Sequence, residues 1–194
     1  MTSTNYGKHQ SKNPIQRMLI ENFYRQLLLL VDTVHAERII DVGCGEGYTL
    51  ARLVVRRANL TGIDISEQAL GIACAKLPAL DIGKGDIYGL HAPDASYDLV
   101  LCNEVLEHLT QPAKALRELR RVSKKYVLLS VPNEPWFRVA NFVRGKNWRR
   151  WGNPAEHLRH WTRSQFIEFV ATHGFTVTKI LTPFPWILIL AEKK

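Results

Sequence analysis

Between Arg38 and Pro132, short apolar runs alternate with longer stretches of helical apolar spacing, and no other feature constrains the fold of this chain so strongly. The runs are "RIIDVG", "NLTGIDI", a short one at Asp81 to Lys84, "YDLVLCN" and "KYVLLSVP". The intervening helices are expected from about Gly47 to Arg56, from Glu67 to Lys76 and over "PAKALRELRRV". Strand, helix, strand, helix predicts a parallel sheet with helices on both faces. Ahead of the first strand, Pro14 suits a first helical turn, and "IQRMLIENFYRQLLLLVDTV" has amphipathic spacing. Near the end, Thr162 is placed to cap a helix over "RSQFIEFVATH", with Gly174 to stop it. "FTVTKIL" and "WILILAE" then read as a closing antiparallel hairpin, for seven strands in all.

A length of 194 residues allows one well-filled domain, expected over 14–194 after a flexible tail at 1–13. Hydrophobic residues at 46% and charged residues at 23% exclude a disordered or fibrous chain. No stretch reaches the roughly 18 uninterrupted apolar residues of a spanning helix. The polar start "MTSTNYGKHQSKNP" lacks the apolar centre of a signal peptide, so a cytoplasmic location is expected. Three cysteines, Cys44, Cys74 and Cys102, form no C-x-x-C pair and read as buried free thiols.

The first strand runs into "DVGCGEGYTL", with Gly43, Gly45 and Gly47 at every second position. A glycine turn between strand and helix lets a ligand approach the backbone and meet the positive end of the helix dipole. Asp64 ends the second strand, where a carboxylate can accept both hydroxyl hydrogens of a ribose. The dinucleotide fingerprint would need glycine where Tyr48 stands, and the Asp41 carboxylate would repel a pyrophosphate while receiving a cationic amino group. The expected ligand therefore carries an adenosine-like ribose and a positive charge, without phosphate.

With "GIDIS", "GDIYGLHAPDASYDLVLCNEVLEHL" and "YVLLSVPN", the chain resembles the class I S-adenosylmethionine-dependent methyltransferases of the type 11 family over about residues 36–132. The resemblance implies a Rossmann-like doubly wound fold and S-adenosylmethionine as cofactor. It implies that Asp41 and the backbone at Gly43, Gly45 and Gly47 hold the methionine end. Asp64 would take the ribose, Ile65 would flank the adenine, Asp86 and the Ile87 amide would meet its edge, and Asn103 would line the methyl's exit.

"NEVLEHL" reads as helical, which would put Glu104, Glu107 and His108 at i, i+3 and i+4 on one face. Two carboxylates and an imidazole, joined by His157, would suit Mg2+ or another divalent cation able to acidify a hydroxyl. The spacing is similar to that of small-RNA 2′-O-methyltransferases and of O-methyltransferases of ubiquinone biosynthesis. Without a metal, His108 would shape the pocket or act as a general base, and His157 or His160 could share that work.

From Asn133 to Trp161 the alternation breaks into an insertion rich in aromatic and basic residues. Trp136, Trp148, Trp151 and Trp161 stand beside Arg138, Arg144, Lys146, Arg149 and Arg150. Such a segment could stack on RNA bases, lie on an anionic membrane surface, or only roof the site. The favoured reading is O-methylation of a small hydrophobic or amphipathic acceptor. RNA 2′-O-methylation, a non-catalytic RNA-binding protein and an NAD-dependent oxidoreductase stand as alternatives, and the oligomeric state is left open.

Overall fold

The computed structural model describes residues 13–57, 59–143 and 157–194. Its helices are α1 (Pro14–Asp32), α2 (Tyr48–Leu53), α3 (Glu67–Lys76), α4 (Pro112–Val122), α5 (Trp136–Val143) and α6 (Arg163–Thr172). Its strands are β1 (Arg38–Val42), β2 (Asn59–Asp64), β3 (Asp81–Lys84), β4 (Tyr97–Asn103), β5 (Ser123–Pro132), β6 (Phe175–Leu181) and β7 (Trp186–Lys193). They form one sheet in the order β3-β2-β1-β4-β5-β7-β6, in which β7 alone runs against its neighbours. The expected doubly wound sheet and antiparallel finish are both present.

The strand alternation decides the two cores. In β4, Leu99 and Leu101 face the side covered by α1, while Val100 and Cys102 face the side covered by α4 and α6. Each face of the sheet is thus sealed by helices, which is why its strands read as continuous apolar runs. On the first side, α1 buries Phe23, Tyr24, Leu27, Leu30 and Val31, a helical stripe. On the other, Leu116 and Leu119 of α4 and Phe166 and Val170 of α6 are fully buried.

Local chemistry sets the element ends. Asn13, expected in the tail, belongs to α1, because its carboxamide oxygen caps the Ile15 and Gln16 amides; residues 1–12 of that tail lie outside the described residues. At Thr162 a full capping box with Gln165 starts α6. The helix after the glycine turn stops at Leu53 rather than near Arg56, where the β-branched Val54 and Val55 follow and the Arg56 and Arg57 amides turn back onto the Leu53 carbonyl. Cys44 and Cys102 are buried, but Cys74 is exposed, since α3 turns Ala69, Leu70 and Ala73 inward and leaves Cys74 outside.

The strand order reverses between β1 and β4, and a crevice opens there at the carboxyl edge of the sheet, the usual ligand position in such folds. Because β7 is antiparallel, its first residue, Trp186, pairs with Pro132 at the end of β5 and stands on that same edge.

Candidate active site

At the end of β1 the chain takes left-handed backbone at Gly43 (φ 80°), Gly45 (φ 53°) and Gly47 (φ 74°). A Cβ on Gly43 would overlap Val105 Cγ2, so this position requires glycine for space as well as for conformation. The loop amides are engaged by the protein: Gly43 and Cys44 donate to the Ile63 carbonyl at 2.8 and 3.0 Å, and Gly45 donates to Asp64 Oδ2 at 2.8 Å. These three amides point at β2 instead of forming a cradle for phosphate.

Beneath α1 the loop borders a cavity of about 70 Å3. Asp41, Asn103, Glu104, Tyr24, Phe23 and Trp186 are among its walls. Asp41 is 2% exposed, and burial, with the nearby Asp64 carboxylate adding to it, raises its pKa to about 7. A cationic group placed beside it would relieve that burden. Both amide atoms of Asn103 are buried and take no hydrogen bond among the described residues. A polar pair placed so in a cavity wall calls for a ligand. Burial likewise raises the Tyr24 hydroxyl and the Cys44 thiol, which favours the protonated form of both.

Asp64 bridges two segments, taking the Gly45 amide on Oδ2 and the Ser66 amide on Oδ1, each at 2.8 Å. Beside it Ile65 is 68% exposed, a large apolar side chain left open next to the Asp64 carboxylate. Asp86, after β3 on the same edge, closes a turn: its Oδ1 accepts the Tyr88 amide at 2.9 Å and its carbonyl accepts the Gly89 amide at 3.0 Å. Ile87 follows, half-buried.

The "EVLEH" segment is not an α-helix. Only Leu106–His108 form a 3-10 turn, and Glu104 adopts left-handed backbone at φ 57°. The Glu104 amide is still tied to Ser130 of β5, so the chain leaves the sheet one residue too late for the helix to include it. Glu104 therefore faces the cavity, with Oε2 accepting the Trp186 indole N–H at 2.6 Å. It is not part of the cluster expected of it.

Glu107, His108 and His157 do converge, with one potential ligand atom from each lying within 4.8 Å of the others. The Leu158 and Arg159 amides donate to the Glu107 carbonyl at 2.9 and 3.0 Å, which docks the returning segment and sets His157 beside His108. Their rings lie 4.9 Å apart, and His157 stacks on Phe137 at 5.3 Å. His108 Nε2 is 3.9 Å from Glu107 Oε1, the carboxylate being 1% exposed and the imidazole 36% exposed. His160 is outside that converging set, with its ring 6.4 Å from that of His157 and its Nδ1 3.5 Å from Glu134 Oε1. Burial pushes the Glu134 carboxyl up, and His160 partly offsets that.

Of the insertion, Arg144, Lys146, Trp148, Arg149, Arg150 and Trp151 lie outside the described residues. Trp136 is 54% exposed and Arg138 is exposed, whereas Trp161 packs against Phe166 and Phe169, a role in the fold.

Residues 13–180 match the methyltransferase domain family. The chain belongs to that family. A protein of Mycolicibacterium smegmatis described as "Probable S-adenosylmethionine-dependent methyltransferase" is 31% identical over 148 residues, 75% of this chain and 54% of that one. The ubiquinone biosynthesis O-methyltransferase of Hahella chejuensis is 30% identical over 169 residues, 76% of this chain and 70% of its own length. Among solved structures, magnesium protoporphyrin IX methyltransferase from Synechocystis with bound S-adenosylhomocysteine superimposes with a TM-score of 0.73 at 18% identity, covering 99% and 95% of the two chains. The chain spans about half the length of several curated relatives it matches.

Membership of the methyltransferase domain family, with a probable S-adenosylmethionine-dependent methyltransferase among its relatives, stands against the oxidoreductase reading. Among the described residues no helix is long and apolar enough to cross a membrane. Sequence reasoning overlooked several wall residues of the cavity, Phe23, Tyr24, Thr49 and Trp186 among them. The signal for Trp186 was available, since an antiparallel final strand must begin at the carboxyl edge where the parallel strands end.

Proposed function

We propose that this enzyme methylates a hydroxyl group of a small hydrophobic or amphipathic acceptor. The observation that carries the reading is the convergence of Glu107, His108 and His157 close to the cofactor cavity. Phe137 connects the two, stacking on His157 and sharing an apolar cluster with Phe23 and Trp186. A hydroxyl must lose its proton as it is methylated, and an imidazole beside a buried carboxylate is suited to receive it. The kinship with a ubiquinone biosynthesis O-methyltransferase supports the same chemistry.

S-adenosylmethionine supplies an electrophilic methyl group. In this reading Asp41 and the Gly43–Gly47 backbone hold its ammonium end, Asp64 the ribose hydroxyls, and Ile65 one face of the adenine. Asp86 and the Ile87 amide meet the edge of the base, and the Asn103 amide fills its open valences at the methionine end. The occupied loop amides, and the lack of a cationic side chain among the described wall residues, support a ligand that is positive and free of phosphate. Most of the rate then comes from positioning and exclusion of water, with α1 as the roof.

A divalent cation is the second reading, favoured by the same three residues. Two imidazoles and one carboxylate suit a transition metal better than Mg2+, which prefers oxygen ligands. Glu107, His108 and His157 would hold it, and it would lower the pKa of a bound hydroxyl.

The test offers methyl-labelled S-adenosylmethionine with catechols, aliphatic alcohols, amines and a short RNA, in chelator and with Mn2+ or Mg2+ added. Transfer to a small hydroxyl compound, falling about 100-fold or more in His108→Ala or His157→Ala with S-adenosylhomocysteine binding intact, is expected. Transfer only to amines, or histidine variants with full activity, would overturn the reading. Transfer to RNA alone would replace the acceptor class.

A further inference from the structure

Among the described residues, the cavity beneath α1 has Asp41, Glu46 and Glu104 in its walls and no lysine, arginine or histidine. Arg52 lies outside it, stacked over the Tyr24 ring at 3.8 Å and paired with Glu21 at 2.8 Å. Glu104 is held with unusual firmness. Its left-handed backbone is sustained by the Ser130 carbonyl, which accepts its amide at 3.1 Å. On its carboxylate, the Trp186 indole donates to Oε2 at 2.6 Å and the Ser130 hydroxyl reaches Oε1 at 3.4 Å. Trp186 is itself fixed edge-on against Phe23 of α1, with ring centroids 5.2 Å apart. The neighbouring Asn103, with both amide atoms buried and unengaged among the described residues, marks this wall as one that faces a ligand.

A fixed charge of this kind discriminates between ligands by charge without having to reorganise. The reaction changes the charge of the cofactor: the acceptor oxygen forms a bond to the methyl carbon, the carbon–sulfur bond breaks with its electron pair going to sulfur, and the sulfonium becomes a neutral thioether. The acceptor's proton leaves to a base. Building on the cofactor reading above, we propose that Glu104, oriented by Trp186, is a specificity-determining residue that favours the sulfonium cofactor over its thioether product, so that the spent cofactor is released.

Isothermal titration of S-adenosylmethionine and of S-adenosylhomocysteine against the wild type, Glu104→Gln and Trp186→Phe tests this. A unit charge a few ångströms from the sulfonium, at an effective dielectric of about 20, corresponds to roughly tenfold or more in the ratio of the two Kd values. Glu104→Gln is expected to weaken S-adenosylmethionine by about that factor and S-adenosylhomocysteine by less than about twofold, while Trp186→Phe shifts the ratio in the same direction by less. Parallel weakening of both ligands would show a merely structural role and overturn the proposal, as would an unchanged ratio. Should Glu104→Gln fail to fold, the Trp186→Phe ratio decides alone. Wild-type protein that binds neither ligand would overturn the cofactor reading itself, a result distinct from an unchanged ratio.

Discussion

Replacing Asp41 with asparagine keeps the shape of a β1 side chain and removes the charge that the fold buries. In an unfolded chain that carboxyl releases its proton near 3.8, and in the folded protein near pH 7. Between those values the folded state holds one proton more, so stability falls as pH rises, by about 1.4 kcal/mol per pH unit. The contribution is whole below the unfolded value and gone above the folded one. From pH 5 to pH 7 the loss is about 2 kcal/mol, because the slope flattens as the folded-state carboxyl reaches half titration, or roughly 4–8 °C in Tm for a chain of this size. Asp64 faces Asp41 and raises its pKa further, and Asp41 in turn acts on Tyr24. Glu134, also raised, titrates with the same sign, whereas Asp98, Glu67 and Glu118 are lowered and act in the opposite sense at acid pH. All four are present in both proteins, so the difference between wild type and Asp41→Asn isolates Asp41. Calorimetric melts of both at pH 5 and pH 7 should show the wild type losing several degrees more than the variant. Saturating S-adenosylmethionine should shrink the wild-type loss, because a cation beside Asp41 favours its charged form. Parallel losses in the two proteins would refute the reasoning.

Two further substitutions probe the scaffold. Gly43→Ala meets both a left-handed backbone and the Val105 side chain, and should cost about 2 kcal/mol or more, read as a Tm lower by roughly 4–8 °C; an unchanged melt would show that the loop relaxes freely. Thr162→Ala removes the capping box of α6 and should cost about 1 kcal/mol, with Thr162→Ser recovering most of it in urea titration.

How far the sequence reaches can be judged from particular residues. The sheet was legible because each strand is a short run bounded by glycine, proline or polar residues, and α3 and α4 have the bounds that their caps and periodicity predict. Asp41, Gly43, Gly45 and Asn103 line the cavity because the strand ends of a doubly wound sheet lie at the crevice, while Gly47 is not among its described walls. The "EVLEH" stretch misled, since helical spacing was assumed where Glu104 remains bonded to β5 and takes a left-handed conformation that no periodicity reports. The error moved Glu104 from the cavity beneath α1 to the histidine cluster. Tyr24 and Trp186 were missed for a different reason: they reach the cavity from opposite ends of the chain, and periodicity is blind to neighbours across the sheet.

The central claim is that the crevice between β1 and β4 binds the cofactor of methyl transfer through Asp41, Asp64 and the glycine loop. Isothermal titration with S-adenosylhomocysteine, of the wild type and of Asp64→Ala, tests it most directly. Micromolar binding that the variant loses is the predicted result. Absence of binding by the wild type, or equal binding by both proteins, would contradict it.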